Sequence, residues 1–230
     1  MASGNTAQEW VLWEHTQHQP TIELCSIRST GTPFQYQSIP QAPVISKVFA
    51  TQDKEKPKGF RTKEYSLFRS GIRPDWDDPK HHGGGRLFCK QDTEETILDH
   101  CWERLVVGAI DGALVGANYS HYIDGVRVAD KSRAYPCYQM EVWLNTADDA
   151  IVEVIRDITV HFVNAGMPAD SRHKNELNWK WVPNKQTNKL TSLAFFLYRG
   201  SHFVSPSSVR STHARALRSN PPHLETRSFI

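Results

Sequence analysis

The chain has 230 residues, 39% of them hydrophobic, which fits one globular domain with a sizeable core rather than a multidomain enzyme. No run approaches the roughly 20 apolar residues of a membrane span, so no membrane partner is expected. Lys+Arg 27 against Asp+Glu 25 leaves a net +2, which excludes binding to an anionic polymer through bulk charge and leaves only local basic patches for that purpose.

In chain order, residues 1–8 are small and polar and read as disordered, with no apolar leader, so the protein is expected in the cytoplasm. Alternating apolar patterns predict strands over 10–13 and 21–27, and a poorer pattern predicts a helix over 41–52. A charged stretch over 53–59, carrying Pro57 and Gly59, reads as an exposed loop. A short strand is expected over 87–89. After Asp92, with Glu95 in a capping-box position, Ile97, Leu98, Cys101, Trp102, Leu105, Val106, Ala109 and Ile110 form one stripe at helical spacing. Strands follow over 123–129 and 138–144. Thr146 with Asp149 opens a second helix, whose Ile151, Ile155, Ile158 and Phe162 hold one face until Gly166 and Pro168 stop it. Strands over 177–182 and 193–198 complete the domain, 9–204, and the polar, basic segment 205–230 reads as a disordered tail. The four cysteines, Cys25, Cys89, Cys101 and Cys137, form no CxxC pair and are expected as small buried hydrophobes in a reducing compartment. Strands outnumber helices without alternating regularly with them, which predicts an α+β layer: an antiparallel sheet with helices on one face and the other face free to bind.

Two segments carry the candidate chemistry. In Tyr138-Gln139-Met140-Glu141-Val142-Trp143-Leu144, the period of two places Tyr138, Met140, Val142 and Leu144 on one face and Gln139, Glu141 and Trp143 on the other. If the first set packs on helices, Trp143 stands on the open face as a stacking platform for a flat ligand, unless a neighbouring strand covers it. In Arg73-Pro74-Asp75-Trp76-Asp77-Asp78-Pro79-Lys80-His81-His82-Gly83-Gly84-Gly85-Arg86, prolines and glycines describe a loop that holds a Trp between acids. A Trp with an adjacent carboxylate and a nearby Arg can hold a flat cationic ring, accept its N–H edge and neutralise a phosphate. A surface turn whose Trp packs locally is the alternative.

At these residues the sequence resembles the cap-binding family of eukaryotic translation initiation factor 4E. The resemblance rests on Tyr65-Ser66-Leu67-Phe68, Gly71-Ile72, Pro74, Trp76-Asp77-Asp78 and Gly84-Gly85-Arg86. Weaker agreement runs from Trp10-Val11-Leu12-Trp13 through Cys101-Trp102 and Trp143 to about Tyr198. The likeness is to a divergent paralogue, of the kinetoplastid kind. It implies a curved antiparallel sheet with about three helices on its convex face and a slot for the 7-methylguanosine cap of messenger RNA on its concave side. Family roles carry over to Trp76 as one sandwich Trp, Asp77 as the base-reading carboxylate, Trp143 as the methyl contact and Arg86 as a phosphate ligand. Lys131 or Arg133 takes a second phosphate position, and Lys185 and Lys189 add contacts. The other sandwich Trp is missing from the loop after Trp13. Either His18 or His15 stacks in its place, or the base is held on one face or by an aromatic from elsewhere. Asp77 is one methylene shorter than the family's Glu, so either the loop comes closer or Glu141 assists.

The resemblance also implies a helical peptide on the convex face, from the scaffold subunit of initiation factor 4 or from a repressor. Val48 and Phe49 are the packing candidates on the first helix, and Glu103 follows Trp102 where the family has an apolar residue; Trp102 itself reads as core. No cofactor is expected and no enzymatic activity: there is no GxxxxGK, HExxH or nucleophile elbow, and His81-His82 beside glycines reads as a solvated turn. The alternative function is a family paralogue with weak or lost cap binding that acts as a protein-interaction module or translational repressor.

Overall fold

The strands are built on alternation. The structure, a computed structural model, describes residues 8–29, 33–40, 42–55, 62–91, 95–132, 136–165, 167 and 177–184. All of these fall in one unit, Met1–Gln186. Its elements are β1 (Glu9–Thr16), β2 (Ile22–Arg28), α1 (Ile45–Glu55), β3 (Thr62–Arg69), β4 (Gly85–Gln91), α2 (Glu95–Ile110), β5 (Ile123–Asp130), β6 (Tyr138–Leu144), α3 (Asp149–Asn164) and β7 (Lys180–Pro183). The strands form one seven-stranded sheet in the order β2-β1-β3-β5-β6-β4-β7, antiparallel at every pairing.

Leu12, Leu67, Val126, Val142, Leu87 and Trp181 stand opposite one another in register across the sheet. This apolar row faces the three helices, and Ile45, Leu98, Leu105 and Ile155 complete the core against it. Fully burying an aliphatic side chain contributes about 1.5–3 kcal/mol, so this layer is the fold's main source of stability. The α+β expectation, with helices on one face of an antiparallel sheet, holds. Among the described residues no helix is long and apolar enough to cross a membrane.

The differences in detail have local causes. Pro40 and Pro43 oppose helix in the residues before them, so α1 begins at Ile45 rather than near residue 41. Its first turn is capped from outside: Asp99 of α2 accepts from Ser46 N at 2.9 Å and from the Ser46 hydroxyl. The same helix runs on to Glu55, into the stretch expected as a loop. α3 is capped by Asp148, whose Oδ1 accepts from Ala150 N (3.0 Å) and Ile151 N (3.1 Å); Thr146 instead accepts from Asp148 N. Strand β3 was not among the expected strands, and β4 extends two residues beyond its expected core on each side.

Cys89 and Cys101 are buried, while Cys25 and Cys137 are half-buried, and all four are free thiols. Burial pushes the Cys101 thiol up to about 12, which makes it chemically inert at neutral pH. The strand expected over 193–198, the tail 205–230 and, apart from Gln8, the N-terminal segment lie outside the described residues, as do Arg133, Lys185 and Lys189.

Candidate ligand-binding site

The face of the sheet turned away from the helices carries three rows of side chains. Val11, Phe68, Gly125, Trp143 and Arg86 form one; Trp13, Ser66, Arg127, Glu141 and Phe88 the next; His15, Glu64, Ala129, Gln139 and Lys90 the third. The predicted facing of β6 is therefore right, with Gln139, Glu141 and Trp143 all on this side. Their expected exposure is not. Every residue of β6 is buried, and Trp143 has 0% of its surface exposed.

What covers Trp143 comes from far away in sequence. The loop between β3 and β4 folds over it, with Trp76 at 4.2 Å between ring centroids and His81 at 4.6 Å. Phe68 meets it edge-on at 5.4 Å, and only because Gly125 lies beneath: a Cβ there would sit 2.5 Å from Phe68 Cγ. The Trp143 Nε1–H donates to Glu141 Oε2 at 2.7 Å.

The loop is held as a rigid support. His81, expected in a solvated turn, is fully buried; its Nε2 meets the carbonyl of Arg73 at 2.9 Å, which assigns the proton to that nitrogen. Its Nδ1 lies 3.4 Å from Asp124 Oδ2. Arg127 Nη2 donates to the Pro74 carbonyl at 2.9 Å. Asp78 caps the turn Pro79–His81, accepting from Lys80 N and Arg73 N, both at 2.9 Å. Partial burial raises the Asp78 carboxyl, but those two backbone N–H groups and the nearby cations outweigh it and hold the group below its ordinary range. At the loop's end, Gly84 has no room for a side chain, because a Cβ would run into the Leu144 carbonyl.

Beside the loop lies a cavity of about 510 Å³. Trp76, 40% exposed, forms one wall with Pro74 and Asp75; Trp13, His15 and Thr21 form another. β1 and β6 are three strand spacings apart, about 14 Å along the sheet, so Trp13 marks a distant wall rather than the far side of a tight sandwich. The floor is charged. Glu141, whose side chain is 1% exposed, takes Arg86 Nη1 at 2.8 Å and the Gln139 amide on Oε1, and Trp143 and Arg127 (3.6 Å) on Oε2. Arg127, 7% exposed, also reaches Glu64 at 3.5 Å, and its Nε finds no hydrogen-bond partner among the described residues. Arg86 spreads its guanidinium over Trp76, 4.1 Å from the ring centroid. Burial pulls the Arg86 pKa down and Glu141 opposes that shift. Arg73, Arg86, Arg127 and Lys131 are the cations of the cavity's lining, set against Glu64, Asp75 and Glu141.

Of the residues expected at the site, Trp76, Arg86, Lys131 and Glu141 come together around this cavity. Trp143 lies beneath it as support. Asp77 is exposed and outside the lining; its N–H is turned to Asp75 Oδ1 at 3.2 Å. His18 sits in the exposed turn after β1 with φ 66°, also outside, whereas His15 is in the wall, tied to Thr21 Oγ1 at 2.9 Å. Arg127, Arg73 and Trp13 were missed as lining residues. Trp13 and Arg127 share a face with Glu141 only through register across several strands, and the sequence carries no local signal of that. Among the described residues, no group of three or more His, Cys, Asp or Glu could hold a metal ion.

On the helix side, Phe49 is buried, stacked on Tyr138 at 5.8 Å, and so cannot present its ring to a peptide as expected. Trp102 is core, its Nε1 donating to the Tyr36 hydroxyl at 2.7 Å. Val48 is half-buried. Glu103 lines a hollow of about 540 Å³ with Tyr36, His100, Val107 and Phe162.

Comparison with known proteins gives one consistent result. The sequence profile described as Eukaryotic initiation factor 4E matches residues 47–192. A curated relative, eukaryotic translation initiation factor 4E-2 of Schizosaccharomyces pombe, is 29% identical over 99 residues, a stretch that spans 43% of this chain and 38% of that protein. Among solved structures, C. elegans eIF4E-3 in complex with the 4E-binding protein Mextli superposes with a TM-score of 0.52 at 17% identity, covering 79% of this chain and 94% of the other. Ascaris suum eIF4E-3 with the m7G cap gives 0.52 at 16% identity, covering 78% and 91%. At such identities the structural likeness is one of fold. None of these relatives bears on a kinetoplastid kinship.

Proposed function

The chain belongs to the eukaryotic initiation factor 4E family, and from that membership we propose that it binds the 7-methylguanosine end of capped messenger RNA and acts in translation initiation or its regulation. The observation that carries the reading is the half-open indole of Trp76 at the edge of a cavity that has a carboxylate on its floor and Arg86, Arg73 and Lys131 around it. N7 methylation makes the purine a flat cation. Stacking on indole then gains a cation–π component, and the base–aromatic stack is worth about 1–3 kcal/mol. The triphosphate falls to Arg86 and Lys131. The Ascaris relative, solved with the m7G cap, supports the reading.

The phosphate half of this proposal is tested by titrating with 7-methyl-GTP and 7-methyl-GMP at low and high salt. The triphosphate should bind about tenfold or more tighter, with the steeper loss on adding salt, because charge-assisted contacts are strong and exposed charges are screened. Equal affinities with equal salt dependence would rule out Arg86 and Lys131 as the phosphate ligands.

A helical peptide from a scaffold or repressor is the second expected ligand, in keeping with the Mextli complex of the C. elegans relative. With Phe49 and Trp102 buried, it would meet Val48, the exposed Val44 and the Glu103 hollow. The alternative reading, a paralogue that works through protein contacts alone, draws on one observation: His18 stands outside the cavity and puts no second ring against Trp76.

A further inference from the structure

Resting on the cap-binding reading, we propose that Glu141, rather than Asp77, is the carboxylate that reads the base, and that Arg86 holds the base's place until it arrives. The geometry of Arg86 carries this. Its planar cation lies over the Trp76 ring at 4.1 Å and at the same time donates an N–H to Glu141 Oε1 at 2.8 Å. Those are the two contacts required by a 7-methylguanine, a planar cation with N1–H and N2–H donors along one edge. The site therefore already contains a side-chain mimic of its ligand.

Glu141 is built for the task. One oxygen, Oε2, is fixed from below by the Trp143 indole N–H at 2.7 Å and faced by Arg127 at 3.6 Å, so the carboxylate cannot turn away. The other, Oε1, takes Arg86 from the cavity side and the Gln139 amide from its own strand, and of these two donors Arg86 is the partly exposed one, whose place a ligand can take. Asp77, by contrast, is exposed and does not line the cavity.

The exchange conserves both hydrogen bonds and charge. The base N2–H replaces the Arg86 N–H on Oε1, the cationic base replaces the guanidinium beside the buried carboxylate, and Arg86 moves to the triphosphate. A neutral guanine completes only the first of these replacements and leaves a buried carboxylate with one cation fewer, which is costly. Discrimination between methylated and unmethylated base follows from that difference.

The test compares the full chain with its D77N and E141Q variants, each titrated with 7-methyl-GTP and with 7-methylinosine triphosphate, which lacks the N2 donor. The unsubstituted chain should prefer the guanine nucleotide by about tenfold, the scale of one charge-assisted hydrogen bond. D77N should keep both the affinity and the preference. E141Q should lose tenfold or more in 7-methyl-GTP affinity and most of the preference, with folding checked by thermal melting; E141D replaces it if the amide variant does not fold and should show the same loss. Loss of affinity and preference in D77N overturns the assignment to Glu141, whatever the Glu141 variants do. Failure of the unsubstituted chain to bind 7-methyl-GTP is the separate outcome that overturns the cap-binding reading itself.

Discussion

Trp76→Ala is expected to weaken 7-methyl-GTP binding by about one to two orders of magnitude, the loss of one base–aromatic stack, while the protein stays folded. The two halves of that expectation come from the same exposure. At 40% exposed, Trp76 has a free surface for a ligand and contributes little to the core. Its removal uncovers part of Trp143 and strips Arg86 of its stacking partner, a cost to stability of about 1 kcal/mol. Trp76→Phe should fall between, since a smaller ring stacks less. Calorimetric titration alongside thermal melting separates the effects, and unchanged affinity in the Ala variant would remove Trp76 from the site.

Trp143→Ala is expected to act through the fold. The ring is fully buried among Trp76, His81, Phe68 and Arg127, so truncation leaves a large cavity at a cost of about 3–5 kcal/mol. It also takes away the N–H that fixes Glu141. Against a total stability of roughly 5–15 kcal/mol, that lowers the melting temperature by about 6–20 °C in a chain of this size. Trp143→Phe keeps most of the packing but gives up the N–H and part of the ring, so its shift should be about half. Any loss of cap binding in Trp143→Ala then reports a collapsed support and not a lost methyl contact. A melting temperature unchanged from the parent would contradict the buried position of Trp143.

The same residue shows where the sequence stops being informative. The period of two in β6 put Trp143 on the correct face, because that depends only on neighbours along one strand. Whether that face met water depended on the loop carrying Trp76 and His81, which lies more than fifty positions away. Strand β3 escaped notice for a related reason: Phe68 is apolar on the open face, packed on Trp143, and it breaks the alternation that marks a half-buried strand. Helices α2 and α3 were legible because each carries its own stripe and needs no partner to reveal it. The start of α1 was not, since its cap is Asp99 from another helix.

The site divides in the same way. Trp76 and Arg86 stood out locally, from a Pro- and Gly-rich loop with an aromatic between acids. Arg127 did not, because its importance lies in facing Glu141 and Glu64 across adjacent strands and reaching the Pro74 carbonyl. Asp77 was the natural choice of carboxylate by adjacency to Trp76, yet the floor beneath that ring belongs to Glu141, sixty-odd residues later in the chain.

The most direct test of the central claim is an equilibrium titration of the full chain, by tryptophan fluorescence or calorimetry, with 7-methyl-GTP and with GTP in parallel. A charge-reading cavity over Trp76 predicts saturable binding of the methylated nucleotide with at least about tenfold preference over GTP. Equal binding of the two would contradict charge reading, and binding of neither would leave a cap-family fold that works through its protein contacts.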